Sequence, residues 1–516
     1  MKHTQSLLRG TTAGILLLGA TANAQITFNP GSTVATGQRP DAVAFGDFDL
    51  DGDQDFAVST GPQGGNLDAV EFYSNDGAGN FSLSLAVLTG NNTSPGALVA
   101  RDFSGNGAAD VAVALHNSNT VLMLMNDGLG GFTMGASAST GGDPRSLGAG
   151  DVDADGDLDV VSSNRNSNSV TVLLNSGAGT LTPAGTTTVG ADLRAVVVAD
   201  FNADGMGDVA VSSHDSRQVA VFLSTGGGAM GAPALLSVGA NRRPEGITAG
   251  DFNGDGQIDL AAATSLNNDS WATIFTNAGG TFGAPQHFAF LGIDADSIVS
   301  ADFDLDGDLD LATSNQTSNN VSILSNLAGG TFGSPTLVAT GTRPGGIAAG
   351  DIDGDGDADL ATANRDSNNV SVLTNAGGGN AWTNYCQTAP NSVGAGAIMG
   401  ASGTTSVQAN NFFLEVSNAV PNTVGMFAYS NQQGLLPVGN GFLCLSGSFF
   451  RLGPPTAASA GGTNSRRLNF TLGNPSGGAG QILGGSTWNF QYWYRDAAAG
   501  GQGFNFSDGL SVMFAQ

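Results

Sequence analysis

A nine-residue acidic pattern recurs seven times in this chain, and its spacing constrains the fold more than any other feature. The clearest copy spans residues 351–359, with acidic side chains at every second position and a glycine at the sixth. The first residues of successive copies are separated by 55, 49, 49, 51, 51 and 49 residues. A nearly constant period of this length indicates a repeat architecture, in which each repeat is one unit that packs on its neighbours.

Carboxylates packed this closely repel one another, because like charges in contact interact by several kcal/mol at a surface-like dielectric constant. A divalent cation removes the conflict, and Ca²⁺ accepts about six to eight oxygen ligands in flexible geometry. We therefore predict calcium loops with side-chain ligands at the first, third, fifth and ninth positions. In the last copy these are Asp351, Asp353, Asp355 and Asp359, with the backbone carbonyl of Asp357 as a further ligand.

The candidate metal ligands, with the acidic residues at the seventh position, form seven groups. They are Asp47, Asp49, Asp51, Asp53 and Asp55; Asp102, Ser104, Asn106 and Asp110; Asp151, Asp153, Asp155, Asp157 and Asp159; Asp200, Asn202, Asp204 and Asp208; Asp251, Asn253, Asp255 and Asp259; Asp302, Asp304, Asp306, Asp308 and Asp310; Asp351, Asp353, Asp355, Asp357 and Asp359. The second group lacks two carboxylates, so we expect it to bind metal most weakly. We expect several calcium ions per chain, and up to seven.

Each repeat contains four short stretches that read as β-strands, with turn residues between them. Four short strands per unit indicate one blade of a β-propeller, and the absence of helical periodicity argues against helix-flanked calcium loops. The seventh repeat lacks its fourth strand, whereas residues 26–35 resemble the fourth strand of the sixth repeat. We therefore expect the N-terminal segment to close the ring and to cover a sheet edge.

Residues 25–382 resemble the FG-GAP/VCBS repeat family, the seven-bladed propellers that include the head of the integrin α-subunit. The resemblance rests on the Asp-x-Asp-x-Asp-Gly-x-x-Asp loop and on Phe-Gly-Ala-Pro at residues 282–285. It implies calcium in the acidic loops, and ligand contacts on the face away from them, as in integrin heads. The expected fold class is all-β, a seven-bladed β-propeller followed by a C-terminal β-sandwich.

The repeat ends near residue 382, and residues 383–516 are the expected β-sandwich domain, whose strand-like stretches are separated by Gly, Pro and Asn. It resembles a domain of secreted bacterial propeller proteins. Trp488, Phe490, Tyr492 and Tyr494 alternate along one strand and are the expected core face. The other face carries Asn489, Gln491, Trp493 and Arg495. It either stacks on a sugar ring or packs against a second sheet or another domain. We favour the packing alternative.

Residues 1–24 have the order of a secretory signal, with a basic start, an apolar stretch and a small-x-small site before Gln25. No later stretch is long and apolar enough to span a membrane. We therefore expect a secreted or extracellular protein, free or associated with the cell surface. In that compartment we expect Cys386 and Cys444 to form one disulfide rather than to remain two buried thiols.

Acidic residues set the charge of the chain, whose formal net charge is −28. The seven loops hold 28 of its 44 acidic residues, so the acidity is concentrated at the expected metal sites. This balance disfavours a nucleic-acid partner, because phosphates are bound by cationic surfaces.

The turns of a four-stranded antiparallel blade alternate between the two faces of the ring, which predicts where the arginines lie. If the acidic loops join strands one and two, the second-to-third and blade-to-blade turns share the opposite face. Nine arginines fall in those turns and are candidate ligand-face residues: Arg39, Arg145, Arg165, Arg194, Arg217, Arg242, Arg243, Arg343 and Arg365. They either bind an anionic ligand through paired hydrogen bonds, or pair with carboxylates such as Asp215 and Asp366 and only stabilise the turns.

The sequence contains no His-Glu-x-x-His and no Gly-x-Ser-x-Gly motif. We predict a non-catalytic adhesion or ligand-binding module for an extracellular protein or an acidic glycan. One alternative is a polysaccharide-active enzyme such as a glycan lyase, because fold alone does not decide function. The other is a purely structural extracellular component. An enzyme should show a carboxylate or His cluster outside the metal loops, whereas a binder should show an arginine-rimmed or aromatic-rimmed hollow on the far face.

Overall fold

The computed structural model describes residues 26–376 except 30, 62–67 and 267–268, together with strands and short connections between residues 382 and 513. Strands β1 to β28 form seven four-stranded antiparallel sheets. Within six of them the strand order follows the chain, and the seventh takes its outer strand from the N-terminal end. Each sheet is one blade, so the predicted seven-bladed β-propeller is confirmed.

The first four blades follow one another directly along the chain. Blade one contains β2 (Val43–Gly46), β3 (Asp55–Thr60), β4 (Asp68–Asn75) and β5 (Phe81–Gly90); blade two contains β6 (Pro95–Arg101), β7 (Asp110–Leu115), β8 (Thr120–Asn126) and β9 (Phe132–Ser139). Blade three contains β10 (Pro144–Gly150), β11 (Asp159–Asn164), β12 (Ser169–Asn175) and β13 (Leu181–Thr188); blade four contains β14 (Leu193–Ala199), β15 (Asp208–Ser213), β16 (Gln218–Phe222) and β17 (Ala234–Ser237).

The other three blades repeat this plan. Blade five contains β18 (Arg243–Gly250), β19 (Asp259–Leu266), β20 (Asp269–Phe275) and β21 (Gln286–Ile293); blade six contains β22 (Ala295–Ala301), β23 (Asp310–Asn315), β24 (Asn320–Leu324) and β25 (Thr336–Ala339). Blade seven contains β26 (Pro344–Gly350), β27 (Asp359–Asn364), β28 (Asn369–Leu373) and, from the N-terminal end, β1 (Ser32–Ala35).

Apolar side chains fill the spaces between neighbouring blades. The second strand of blade two, β7, is a short apolar run that is buried at every position. Its two faces pack against blades one and three. The fourth strand β9 is mostly exposed. Seven clusters of buried side chains lie between successive blades, and one of them joins Phe56 of blade one to Val370 of blade seven. The ring is therefore closed by side-chain packing.

The N-terminal strand β1 completes blade seven. It pairs antiparallel with β28, where Ser32 lies opposite Val372. Just before it, Ile26 is 2% exposed and packs in one cluster with Phe303. The ring of Phe28 lies 5.9 Å from that of Phe303. The N-terminal segment therefore covers an edge of β28 that the chain order would leave open.

A buried asparagine joins most blades to the acidic loop of the preceding blade, a contact that the sequence analysis missed. Asn126, at the end of β8, donates through Nδ2 to the carbonyl of Phe48 in blade one (2.9 Å) and to that of Ala109 in its own blade (3.0 Å). The equivalent cross-blade pairs are Asn75–Ile352, Asn175–Phe103, Asn277–Phe201, Asn326–Phe252 and Asn375–Phe303. Blade four has Ser224 here, and its shorter side chain bonds Gly207 of the same blade.

Replacing Asn126 with Ala should lower the free energy of unfolding by about 2–4 kcal/mol, because two buried carbonyl oxygens lose their donor. Urea unfolding in the presence of calcium measures this change. The matched control is Ser224→Ala, which removes a single bond within one blade and should cost about 1 kcal/mol. Equal losses for the two variants would show that the cross-blade bond adds no stability.

The C-terminal residues form further sheets that enclose one core. The strands are β29 (Trp382–Asn384), β30 (Ile398–Ser402), β31 (Phe413–Ser417), β32 (Val424–Ser430), β33 (Gln433–Val438), β34 (Gly441–Leu445), β35 (Phe449–Arg451), β36 (Thr456–Ala457), β37 (Asn464–Arg467), β38 (Thr487–Arg495) and β39 (Phe504–Met513). The main sheet runs β29-β39-β38-β32-β35, and β30, β31 and β37 form a second sheet. Leu414 of the second sheet shares a core with Phe427 of the first, as in a β-sandwich.

The C-terminal domain begins slightly earlier than the sequence predicts, and the packing of β38 agrees with the favoured alternative. Trp382, the last residue of the expected propeller range, begins β29 and pairs with β39, so the C-terminal sheet starts one residue earlier than expected. The predicted core face of β38 is buried. Its other face is not an open sugar platform, because Asn489 and Gln491 are also buried and donate to the carbonyls of Ser430 (3.3 Å) and Ser507 (2.9 Å).

Some predictions fall on parts of the chain that the structure leaves undescribed. The signal segment, residues 1–24, lies outside the described residues, as do Cys386 and the side chain of Cys444. The disulfide between the two cysteines stays a prediction. None of the described residues form a helix with the length and hydrophobicity that a membrane crossing requires.

Candidate metal loops and the opposite face

All seven acidic loops connect the first strand of a blade to its second, so they lie on one face of the ring, which we call the acidic face. The carboxylates of each loop also shape it. In the third loop Asp151 accepts hydrogen bonds from the backbone N–H of Asp155 (3.2 Å) and of Gly156 (3.0 Å). Asp155 accepts one from the N–H of Asp157 (3.0 Å). Gly156 has a φ of 95°, a conformation that a side chain would strain.

In four loops, three carboxylates converge closely enough to share a cation. One oxygen from each carboxylate lies within 4.8 Å of the others. The four groups are Asp47, Asp49 and Asp55; Asp151, Asp153 and Asp159; Asp302, Asp304 and Asp306; and Asp351, Asp353 and Asp355. These are the four loops with aspartate at the third position, which indicates that this residue decides whether a carboxylate cluster forms.

Several oxygens in these clusters are buried without a hydrogen-bond partner among the described residues. They include one oxygen each of Asp49, Asp153 and Asp353, and both oxygens of Asp304. A buried, unpaired carboxylate oxygen is costly, so this arrangement fits a bound cation. The donors are all oxygens, which suits a hard divalent ion.

Burial raises the pKa of loop carboxyls far above that of free aspartate, and neighbouring carboxylates add to the effect. The pKa is about 7 for Asp304 and about 8 for Asp310. It is about 9 for Asp357, whose two oxygens are buried without partners at the seventh position. Asp53, Asp157 and Asp308 occupy the same position in the other three loops and are half-buried. Without a cation, the carboxyls of Asp304, Asp310 and Asp357 therefore resist ionisation.

The aspartate at the ninth position has a structural role that the sequence analysis missed. Asp110 is fully buried, and its two oxygens accept the backbone N–H of Phe103 (3.1 Å) and of Asn126 (2.8 Å). The same pair of bonds is made by Asp55, Asp159, Asp208, Asp259, Asp310 and Asp359. Each ties the start of its loop to the end of the third strand, whether or not it also binds a metal.

The second, fourth and fifth loops bring no three carboxylates together within the described part of the chain. Asn106 of the second loop donates to the carbonyl of Asn126 (2.9 Å) and accepts the N–H of Ala108 (2.8 Å). Asn202 of the fourth loop bonds Asp204 twice (2.9 and 3.0 Å). The amides thus serve as hydrogen-bond partners within their loops, which favours four metal sites over seven.

The nine predicted arginines lie at the other ends of the blades, on a surface that we call the arginine face. Six of them are in turns, namely Arg39, Arg165, Arg217, Arg242, Arg343 and Arg365. The turn assignment was wrong for Arg145, Arg194 and Arg243, which lie at the start of first strands. These strands begin earlier than the sequence pattern indicated, but the face is the predicted one.

Some of these arginines form ion pairs, and of the two predicted partners Asp215 is used, weakly, by Arg243. Arg365 pairs with Asp41 across the junction of blades seven and one. Arg194 pairs with Asp192 at 2.8 Å and lies 3.7 Å from Glu245 of blade five. These guanidinium groups are mostly buried and connect neighbouring blades. They therefore stabilise the propeller rather than bind a ligand.

Other arginines are less committed. The guanidinium carbon of Arg242 lies 4.3 Å from the ring centre of Trp271, and its Nη1 has no partner among the described residues. Arg243 is 49% exposed and lies 3.9 Å from Asp215, which is 56% exposed, so this pair is weak. Among the described residues, the guanidinium groups of Arg217 and Arg343 bond only amide oxygens, at 3.3 and 3.5 Å.

The first strands place a ring of charged residues around the propeller axis, which the sequence analysis did not recognise. Equivalent positions of the seven repeats carry Asp41, Gly96, Arg145, Arg194, Glu245, Asp296 and Gly345. The five charged residues and Arg365 line a cavity of about 130 Å³, which we call the axial cavity. A Cβ on Gly96 would overlap the imidazole of His116, so that glycine makes room for a side chain. The sequence signal that could have identified this ring is a charged residue at the same position in five of the seven repeats.

A second cluster outside the acidic loops surrounds His214. Its Nδ1 lies 3.2 Å from Asp192 and 3.0 Å from Asp215, and its Nε2 lies 3.0 Å from Glu245. Burial opposes the charged imidazole, but the surrounding carboxylates raise the pKa of His214 above its ordinary value. Arg194 bonds the same oxygen of Asp192, which disfavours a metal ion there. The arrangement is that of an ion pair with both ring nitrogens engaged.

A family model described as FG-GAP-like repeat matches residues 47–113, 102–162, 151–211, 200–262, 251–313 and 302–362. Each match begins at the first aspartate of an acidic loop and ends in the second strand of the next blade. Together the six matches cover more than half of the chain. No curated protein matches the chain by sequence.

Several solved structures are similar to this chain. A protein from Lactobacillus plantarum is 16% identical, with a TM-score of 0.48 over 60% of this chain and 88% of that one. A putative 6-phosphogluconolactonase from Bacteroides uniformis is 17% identical, with a TM-score of 0.47 over 61% and 92%. A periplasmic gluconolactonase from Pseudomonas aeruginosa is 16% identical, with a TM-score of 0.44 over 57% and 85%. These similarities assign no activity to this chain.

Proposed function

Because the chain belongs to the FG-GAP-like repeat family, we propose that it is an extracellular, calcium-binding propeller that holds a ligand on its arginine face without catalysis. Adhesion is the role that this arrangement suits. The ligand classes that fit are an extracellular protein and an acidic glycan, since both present the carboxylate or sulfate groups that guanidinium groups bind in pairs.

Calcium is the ion that fits the four carboxylate clusters best. Their donors are oxygens, and Ca²⁺ accepts irregular oxygen sets, whereas Mg²⁺ demands near-octahedral geometry and keeps several waters. In the seventh loop Asp351, Asp353 and Asp355 would hold the ion. Bound calcium would neutralise the repulsion within each loop and so stabilise the acidic face. Secretion, which the N-terminal sequence predicts, would place the protein where calcium is abundant.

One observation carries the binding role, namely that the candidate arginines lie on the face opposite the acidic loops. The acidic loops occupy one face, while the nine arginines gather on the other. On the arginine face, Arg242 and Arg243 are adjacent, and neither is held by a close ion pair. The net charge of −28 would repel an anionic ligand at long range, so binding should strengthen when calcium occupies the far face.

Replacing Arg242 and Arg243 together with Ala should weaken ligand binding about tenfold or more and leave the melting temperature nearly unchanged. The ligand is first identified on glycan and extracellular-protein arrays, run with and without calcium. Its dissociation constant is then measured for each variant.

The matched control is Arg101→Ala, an exposed arginine beside the second acidic loop on the other face. It should bind like the parent protein. If the double variant melts at a lower temperature and binds normally per folded molecule, these arginines only stabilise turns.

The His214 cluster is the one observation that favours the second candidate, a polysaccharide-active enzyme. A His–carboxylate cluster outside the acidic loops is what such an enzyme needs. However, a general base needs a free nitrogen, whereas Glu245 and two aspartates engage both nitrogens of His214. New chain ends released from uronate-rich polysaccharides, and lost in His214→Gln, would favour the enzyme. A protein that neither binds an array ligand nor cleaves a glycan would favour a purely structural role.

A further inference from the structure

The axial cavity lies where the first strands of all seven blades approach one another on the arginine face. Four of its six charged side chains are already paired, Arg365 with Asp41 and Arg194 with Glu245. The other two, Arg145 and Asp296, have no ion-pair or hydrogen-bond partner among the described residues. The cavity therefore offers one cation and one carboxylate that lack a direct partner, although Arg145 interacts at longer range with Asp41, and Asp296 with Arg194 and Arg365.

These two groups lie on opposite sides of the axis. Arg145 is in blade three and Asp296 is in blade six, three blades along the ring, and both residues line the same cavity. Both side chains are half-buried, so water screens them less than it would on an open surface. The positive and negative sites are thus held apart by the fold.

The charge balance of the cavity limits what can enter it. Its lining contains three arginines and three carboxylates, so their formal charges cancel. A simple anion would be repelled by the carboxylates, and a metal cation would be repelled by the guanidinium groups. A ligand with one charge of each sign would pair directly with both Arg145 and Asp296 and would leave the balance unchanged. The cavity of about 130 Å³ has room for about four waters.

We propose that the axial cavity binds a small zwitterion, the head of a free α-amino acid, with its carboxylate on Arg145 and its ammonium group on Asp296. The amino-acid side chain then points to the open mouth. Arginine suits the carboxylate because it donates two parallel hydrogen bonds. A zwitterion has no net charge, so the net charge of −28 does not repel it at long range. This site goes beyond the proposed adhesion function and does not involve Arg242 or Arg243.

Isothermal titration calorimetry of the full, calcium-loaded chain tests the proposal. The probes are glycine, L-alanine and L-serine, and two analogues that each lack one charge, N-acetyl-L-alanine and L-alaninamide. We expect saturable binding of the free amino acids and about 10–100-fold weaker binding of either analogue, because each analogue loses one charged hydrogen-bonded contact.

Variants identify which residue meets which charge. Arg145→Gln and Asp296→Asn should each weaken L-alanine binding about 10–100-fold. In Arg145→Gln, L-alaninamide should bind no worse than L-alanine, because the ligand carboxylate no longer has its guanidinium partner. In Asp296→Asn, N-acetyl-L-alanine should bind no worse than L-alanine. Arg343→Gln and Asp366→Asn are matched controls, exposed on the same face away from the cavity, and should behave like the parent.

The proposal is overturned if the parent protein binds none of the three amino acids at millimolar concentration, or if the two analogues bind as well as L-alanine. These measurements use the parent protein alone, so they hold even if a variant fails to fold. Failure of this site leaves the adhesion proposal standing, because that proposal is tested with Arg242, Arg243 and the array ligand.

Discussion

Chelation of calcium with excess EGTA is expected to lower the melting temperature of the full chain by about 10 °C or more, the largest solution effect that the structure predicts. Four loops gather three carboxylates each within 4.8 Å. A ligand that binds only the folded state stabilises it by about 2.7 kcal/mol per site when its free concentration is a hundred times its dissociation constant. Four such sites together contribute on the order of 10 kcal/mol. Differential scanning fluorimetry with a calcium titration measures the shift.

The pH dependence of the calcium-free protein gives a second readout of the same effect. The folded pKa values of Asp304, Asp310 and Asp357, about 7, 8 and 9, exceed the ordinary value near 3.8. Between pH 3.8 and these folded pKa values, the folded state therefore binds more protons than the unfolded state. The free energy of unfolding falls as the pH rises through this range. Calcium-free protein should melt at a lower temperature at pH 9 than at pH 5. Calcium should reduce or reverse the difference, since it favours the ionised carboxylates.

Two variants separate metal binding from general acidity. Asp353→Asn removes one member of the seventh cluster and should weaken calcium binding, whereas Asp366→Asn removes an exposed carboxylate outside the loops and should not. A melting temperature that does not change in EGTA would show that the acidic loops are held by their hydrogen bonds alone.

Removal of residues 25–35 is expected to be the most damaging change to the fold. It deletes β1, which pairs with β28, and it removes Ile26 and Phe28 from their contacts with Phe303. Loss of a buried Ile side chain alone costs about 2–5 kcal/mol. The exposed edge of β28 would also be free to pair with another chain. We expect a much lower melting temperature and aggregation, measured by fluorimetry and by light scattering after size exclusion.

The matched control is a chain that begins at Gln25, which keeps the strand and lacks the predicted signal. Ile26→Ala should fall between the two, because it keeps the strand pairing and loses only the buried side chain. If the protein without residues 25–35 stays monomeric and melts like the control, β1 has no role in ring closure.

The sequence determined the architecture because its signals are local and repeated. Seven acidic loops at a nearly constant period indicated the number of blades and placed the loops between first and second strands. The alternation from Trp488 to Tyr494 identified the core face of the C-terminal sheet. The same topology placed the nine arginines on one face. None of these inferences required knowledge of which distant residues touch.

The tertiary structure alone decided how the charged and polar side chains are used, because their partners are distant in sequence. Arg365 pairs with Asp41 at the far end of the propeller sequence, rather than with the adjacent Asp366. Asn126 meets Phe48 across a blade interface, over 78 residues of chain. The axial cavity exists because ring closure brings one position from each blade together, and no single repeat contains it. A repeat sequence specifies each unit, whereas contacts between units depend on the geometry of the closed ring.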